Sequence, residues 1–177
     1  MFVKLELLRR LLFVFFRRMA MTTYKLFRVK DGRLFPLYVE HKREMTLATL
    51  LEARIGELVD ENHVKAHGLG GKVALRPGFH STFIPFTDWI GKRGEDGRLY
   101  QRPDTVWAEC EVTGKEQIVK GGLRVLPSDW YLFRTNSRQK DPWIISNNIL
   151  IRNILSHDEV KEICEQNGYK AQEIAME

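Results

Sequence analysis

A chain of 177 residues with 44% hydrophobic content is long enough and apolar enough to bury the core of one globular domain. Its two cysteines, Cys110 and Cys164, form neither a C-x-x-C pair nor a zinc-ligand spacing, which excludes a disulfide framework and a cysteine metal cluster and points to a reducing, cytoplasmic setting. The net charge of +5 suggests a nucleic-acid surface only until it is located: Lys4, Arg9, Arg10, Arg17 and Arg18 against Glu6 put +4 into residues 1–20, and the remainder is close to neutral.

In that opening segment, MFVKLELLRRLLFVFFRRMA, the apolar run from Leu11 to Phe16 is bracketed by two arginine pairs. It is too short to span a bilayer, and Arg17-Arg18 stand where a secretory signal needs small residues, so no transmembrane segment is expected. Two readings stay open. The segment is either an amphipathic basic helix for an anionic membrane or a partner, or an upstream extension of a chain whose functional part starts near Met21. The abrupt change of composition at Met21 favours the second, giving a basic apolar extension over 1–20 and a single globular domain over 21–177.

From Met21 the segments TTYKLFRV and LFPLYV flank Lys30-Asp31-Gly32-Arg33, and the Asp-Gly pair predicts a hairpin. REMTLATLLEARIGELVDE spaces Leu47, Leu51, Ile55 and Leu58 as one face of a helix. HGLGGK fits neither phosphate-loop template and reads as a flexible connection. Then come RPGFHST, PFTDWIG and the polar turn KRGEDGR. In DTVWAECEVTG, alternation places Val106, Ala108, Cys110 and Val112 on one face and Trp107, Glu109 and Glu111 on the other. WYLFRT and WIISNNILI have the β-branched and aromatic content of strands. Ser156-His157-Asp158-Glu159 forms an S-x-x-E capping box that opens a last helix, stopped at Asn167-Gly168.

Among residues that carry chemistry, His63 and His67 stand four apart, but HVKAH has no glutamate at the position a zinc protease needs, so no metal site is expected. Ser81 lacks the G-x-S-x-G elbow, and its neighbour His80 points to the opposite face of a strand, which argues against a Ser-His dyad. Cys110 lies on an apolar strand face, where a thiol is ordinarily inert. The tryptophans Trp89, Trp107, Trp130 and Trp143 read as packing residues, and Arg134, Arg138 and Lys140 as parts of a solvated loop that leaves nucleic acid open as a partner.

The order of these features, YKLFRV, a helix, GFHSTFIPFTDWIG, VWAECEV and then WIISNNILIRNILSHDEV, resembles the core of the ADP-ribosyltransferase fold. The chain from Met21 is also similar to accessory proteins of gut-bacterial phages and mobile elements that carry RPG-aromatic-His, VWxExEV and a WII-type closing strand. The resemblance implies an α+β domain, mainly an antiparallel sheet with a few packed helices. It implies NAD as the substrate, with Arg28 on its phosphates and ribose and His80, Ser81 and Thr82 around the nicotinamide ribose. It also implies an acid beside the ribose to stabilise the oxocarbenium-like centre as nicotinamide leaves. The family's glutamate is not in WIIS, and Asp141 is the nearest acid. Two functions follow. One is an ADP-ribosyltransferase-like protein that modifies a host macromolecule; the other is a non-catalytic anti-defence binding protein, such as an anti-CRISPR inhibitor of a host nucleoprotein.

Overall fold

The computed structural model of the chain describes residues 20–37, 50–52, 78–88, 90–118, 128–134 and 137–174. The first strand, β1 (Ala20–Lys30), turns through Asp31 and Gly32 into β2 (Arg33–Pro36), with Lys30 facing Arg33. Both turn residues have positive φ, 51° and 72°, as the twist of a two-residue hairpin requires. On its other edge β1 pairs antiparallel with β7 (Thr105–Thr113) along its length, from Ala20↔Thr113 to Arg28↔Thr105. Strand β10 (Asn148–Ile154) continues the sheet beyond β7, and β3 (Leu50–Glu52) adds to β10.

A second sheet holds β4 (Phe79–Ser81), β9 (Trp143–Ser146) and β8 (Trp130–Phe133), with β9 in the middle. It joins the first through Tyr24 and Thr82, which exchange both backbone hydrogen bonds at 2.8 Å. At its far side Trp130 bridges to Glu116, in the continuation of β7, and Gln117 N–H donates to the Trp130 carbonyl at 2.6 Å. Backbone bonds therefore run around β1, β4, β9, β8 and β7 and return to β1. A small third sheet pairs β5 (Lys92–Arg93) with β6 (Leu99–Gln101), and β11 (Glu173–Ile174) lies parallel to β6.

Alternation in β1 and β7 supplies two cores. Leu26 and Trp107 face one, with Tyr131, Trp143 and Ile145 of the second sheet and Leu155, Val160 and Cys164 from the C-terminal part of the chain. Phe27, Ala108, Cys110 and Val112 face the other, with Phe79, Ile149 and Ile151. All four residues of β9 are buried, which accounts for the unbroken apolar run at its start. Asn147 makes the corner where β9 leaves one sheet and β10 enters another: its N–H donates to the Asp129 carbonyl and its side chain to the Ser128 carbonyl. Asn148 seals the end of β7, its Oδ1 accepting from the N–H and hydroxyl of Thr113 and its Nδ2 donating to the Thr113 carbonyl.

The expected α+β class, with a few packed helices in the manner of the ADP-ribosyltransferase fold, is corrected by this architecture. Half of the described residues form strands and about a tenth form the one helix among them, α1 (His157–Gln166), so the protein is mostly β. Part of the error lies at Leu50–Glu52, read from leucine spacing as helical and observed as a strand on the edge of β10. A short apolar run satisfies either period, and the free backbone edge of β10 decides it. The rest of that predicted helix, HGLGGK, Arg76-Pro77, Trp89, and His63 and His67 lie outside the described residues, as do residues 1–19 of the basic extension. No helix among the described residues is long and apolar enough to cross a membrane.

Helix α1 starts where the capping box places it. Ser156 Oγ accepts from the Glu159 N–H at 3.3 Å, and the Glu159 carboxylate accepts from the Ser156 N–H at 2.7 Å. Two otherwise orphaned donors are thus satisfied, and Val160 and Cys164 are turned onto the first core. Replacing Ser156 by Ala is expected to lower unfolding free energy by about 1 kcal/mol, and replacing His157 by Ala by much less, as read from denaturant melts of the two variants. A larger loss at His157 would place the helix start elsewhere.

Candidate functional site

Strand β4 is entered through Gly78, whose φ of 132° lies where a β-carbon is strained, so the turn after residue 77 needs glycine there. Phe79, His80 and Ser81 then alternate. His80 turns toward the first core, its ring edge-on to Trp143 with centroids 6.4 Å apart. Arg28 turns to the same side of β1, where its Nη2 donates to the Leu37 carbonyl at 3.2 Å. These two residues of the expected NAD site therefore border one core. The hydroxyl of Thr82 is spent on the Tyr24 and Ile84 carbonyls, at 3.1 and 2.6 Å. Ser81 faces the opposite side and is 1% exposed.

Asp141 is engaged elsewhere. Its carboxylate accepts from the Tyr169 hydroxyl, and Lys140 Nζ sits 4.2 Å over the Tyr169 ring, so the loop before β9 is latched to the segment that follows α1. His80 pairs with Ile145, four residues beyond Asp141. The acids on β7 are also committed or remote from Ser81. Glu111 takes both Nε and Nη2 of Arg152, at 2.9 and 2.6 Å, and Glu109 lies beside Tyr24, whose hydroxyl pKa is raised by burial and by that carboxylate.

No family model, curated protein or solved structure matches this chain. The geometry itself points to a group absent from the expected site. Lys25 lies between Thr23 and Phe27 on the face of β1 that looks into the second core, opposite Ala108. Continuing the antiparallel bridge Tyr24↔Thr82 by one residue sets Lys25 against Ser81. The ammonium donates to the His80 carbonyl at 2.8 Å and stands 5.6 Å from the centre of the Phe27 ring. Lys25 is 9% exposed, and burial lowers its pKa to about 8. The thiol of Cys110, opposite Thr23, is pushed up to about 12 by the same burial and stays neutral, so it supplies no counter-charge.

Among the described residues the ammonium has one carbonyl acceptor and no carboxylate; a buried cation so placed is costly to keep, and such groups concentrate where proteins bind or react. On the same face the Thr23 and Ser81 hydroxyls are buried without a hydrogen-bond partner, as is the Ser146 hydroxyl across from Phe79. Lys25 was legible in part: TTYKLFRV alternates, and a lysine in phase with Phe27 is a lysine on the apolar face. The arginine three residues on carried a stronger chemical association and drew the assignment instead.

Lys25 makes stability depend on pH in a defined direction. Below pH 8 it is protonated in both states and its burial cost is fully present; as pH rises from about 8 toward 10.5, the folded protein loses this proton while the unfolded chain keeps it, so stability rises. The buried thiols of Cys110 and Cys164, raised to about 12 and about 11, oppose this above pH 9. The lysine's part is therefore read as a difference between proteins. Lys25→Met is expected to be more stable than the parent at pH 7, with that advantage shrinking by on the order of 3 kcal/mol by pH 10.5 in denaturant melts. An advantage independent of pH would show that the lysine is charged in the folded protein throughout.

Proposed function

We propose that this protein works by binding a macromolecular partner and does not turn over NAD. The observation that carries the reading is the latch on Asp141: the acid nearest the closing strand holds the Tyr169 hydroxyl. An acid that stabilises an oxocarbenium-like centre must be aimed at the ribose that the histidine also meets, since such electrostatic stabilisation depends on prior placement. Thr82, the second expected ribose contact, has its hydroxyl bound to two backbone carbonyls, and Ser81 faces away. Arg28 and His80 both border the first core, Arg28 on the Leu37 carbonyl and His80 against the Trp143 ring.

The partner class comes from the resemblance to phage and mobile-element accessory proteins: a host protein or nucleoprotein of a defence system, inhibited by occupation of its surface. With an isolated CRISPR nucleoprotein of the host as target, inhibition of target cleavage is expected to be stoichiometric, independent of NAD and retained by Asp141→Ala. Calorimetry with millimolar NAD is expected to show no binding. Saturable NAD binding weakened by Arg28→Ala and by His80→Ala, together with nicotinamide release lost in Asp141→Ala, would contradict the reading and restore the transferase.

A further inference from the structure

Between β8 and β9 the chain carries Arg134, Arg138 and Lys140 and no acid before Asp141, and Lys170 follows directly on Tyr169, the residue that holds Asp141. Four positive charges against one negative make this cluster +3, while all residues after 20 sum to +1, so the rest of that region is net acidic at −2. The cations are also braced. Arg134 donates from Nε to the Gln139 carbonyl at 3.1 Å and from Nη2 to the Lys140 carbonyl at 3.5 Å, and Gln139 Nε2 donates to the Asp141 carbonyl at 2.7 Å. Lys140 Nζ is held 4.2 Å over the Tyr169 ring. Carbonyls and a ring orient these side chains without neutralising them: among the described residues no ion pair involves Arg134, Lys140 or Lys170. Of the acids within four residues of Tyr169 in the chain, Glu165 pairs with Lys161 at 4.0 Å and Glu173 lies on β11, in register with Tyr100.

We infer that this loop and Lys170 form a surface for the phosphate backbone of a nucleic acid. Gathering like charges costs free energy through their repulsion, and bracing long side chains costs rotamer entropy. Both costs are met before binding, which leaves a polyanion less to order on arrival. A protein partner is usually gripped by aromatic or apolar anchors, whereas the exposed residues here, Arg134, Ser137, Arg138, Lys140 and Lys170, are all polar. Arginine, lysine and serine are phosphate-contacting types, and such contacts position a nucleic acid without reading its bases. The Tyr169 ring offers no platform for stacking, because Lys140 covers it on one side and the Phe86 ring packs against it with centroids 5.5 Å apart. Binding is therefore indifferent to base sequence. The inference goes beyond the partner-binding reading and does not require it, since naked nucleic acid serves as the ligand.

The full chain is titrated against two fluorescent DNA duplexes of unrelated sequence, each of about 20 base pairs, and followed by anisotropy from about 50 to about 200 mM sodium chloride. Residues 1–20, at +4, contribute to the salt dependence of parent and variant alike, so the surface is read as the difference between them. Lys140→Gln combined with Lys170→Gln is expected to weaken both duplexes equally and to flatten the slope of log affinity against log salt by about 2, close to 0.9 for each phosphate contact removed. Lys140→Arg combined with Lys170→Arg keeps the charges and is expected to keep the parent slope, which separates charge from folding; both double variants are checked for the parent melting temperature. A parental slope in the glutamine variant, or a loss confined to one of the two sequences, would overturn the inference. An equal flattening with labelled polyglutamate in place of DNA would also overturn it, assigning the surface to an acidic protein. Neither result bears on inhibition of a host nucleoprotein, which is measured separately.

Discussion

Burying the ammonium of Lys25 costs several kilocalories per mole unless something offsets it, and the strand that carries it is the one on which the described architecture is built. β1 pairs with β7 along its length, with β2 at one end of its other edge and with Thr82 further along that edge. Its backbone donors and acceptors are held on both sides, and its side chains divide the interior into two cores. A strand so constrained cannot rotate to release Lys25 to water, because a slip of one residue would exchange every side chain of one core for those of the other. The lysine is held inside by the register of the sheet.

That division sorts the chemistry. Arg28 and His80 lie on the side of Trp143, and Lys25, Ser81 and Thr23 on the side of Phe79. Four consecutive residues, Phe79 to Thr82, therefore serve different purposes: core, a ring packed on Trp143, buried hydroxyl and strand bridge. Three polar residues in a row suggested one binding wall, whereas a strand presents them to two compartments. The latch between Asp141 and Tyr169 fastens the segment after α1 to the loop before β9; Gln172 does similar work nearby, its Nε2 donating to the Thr87 and Ile90 carbonyls.

Features set by neighbours in the chain were legible in the sequence. Asp31-Gly32 fixed a hairpin, the alternation of VWAECEV separated Trp107 from Ala108 and Cys110, and Ser156 and Glu159 announced a helix start. Features set by distant parts were not. Nothing near Leu50 shows that β10 offers it an edge, so leucine periodicity was read as a helix. The partners of β4 lie far along the chain, His80 pairing with Ile145, and the bridge at Thr82 reaches back to Tyr24. The occupation of Asp141 by Tyr169 depends on the fold of the whole C-terminal region. Lys25 fell between these cases: its phase in the strand was visible, but the lack of an acid beside it among the described residues depends on which parts of the chain assemble around it.

The most direct test of this account is the ionisation of Lys25 itself. A protein labelled with carbon-13 and nitrogen-15 in its lysines allows the ε-methylene and ζ-nitrogen signals of Lys25 to be assigned by comparison with Lys25→Met and followed from pH 6 to pH 11. The account predicts a midpoint near pH 8 for this one residue, with exchange of its amine protons slowed by burial. A midpoint near the ordinary lysine value of 10.5, with rapid exchange, would show the ammonium to be hydrated and would contradict the buried cation.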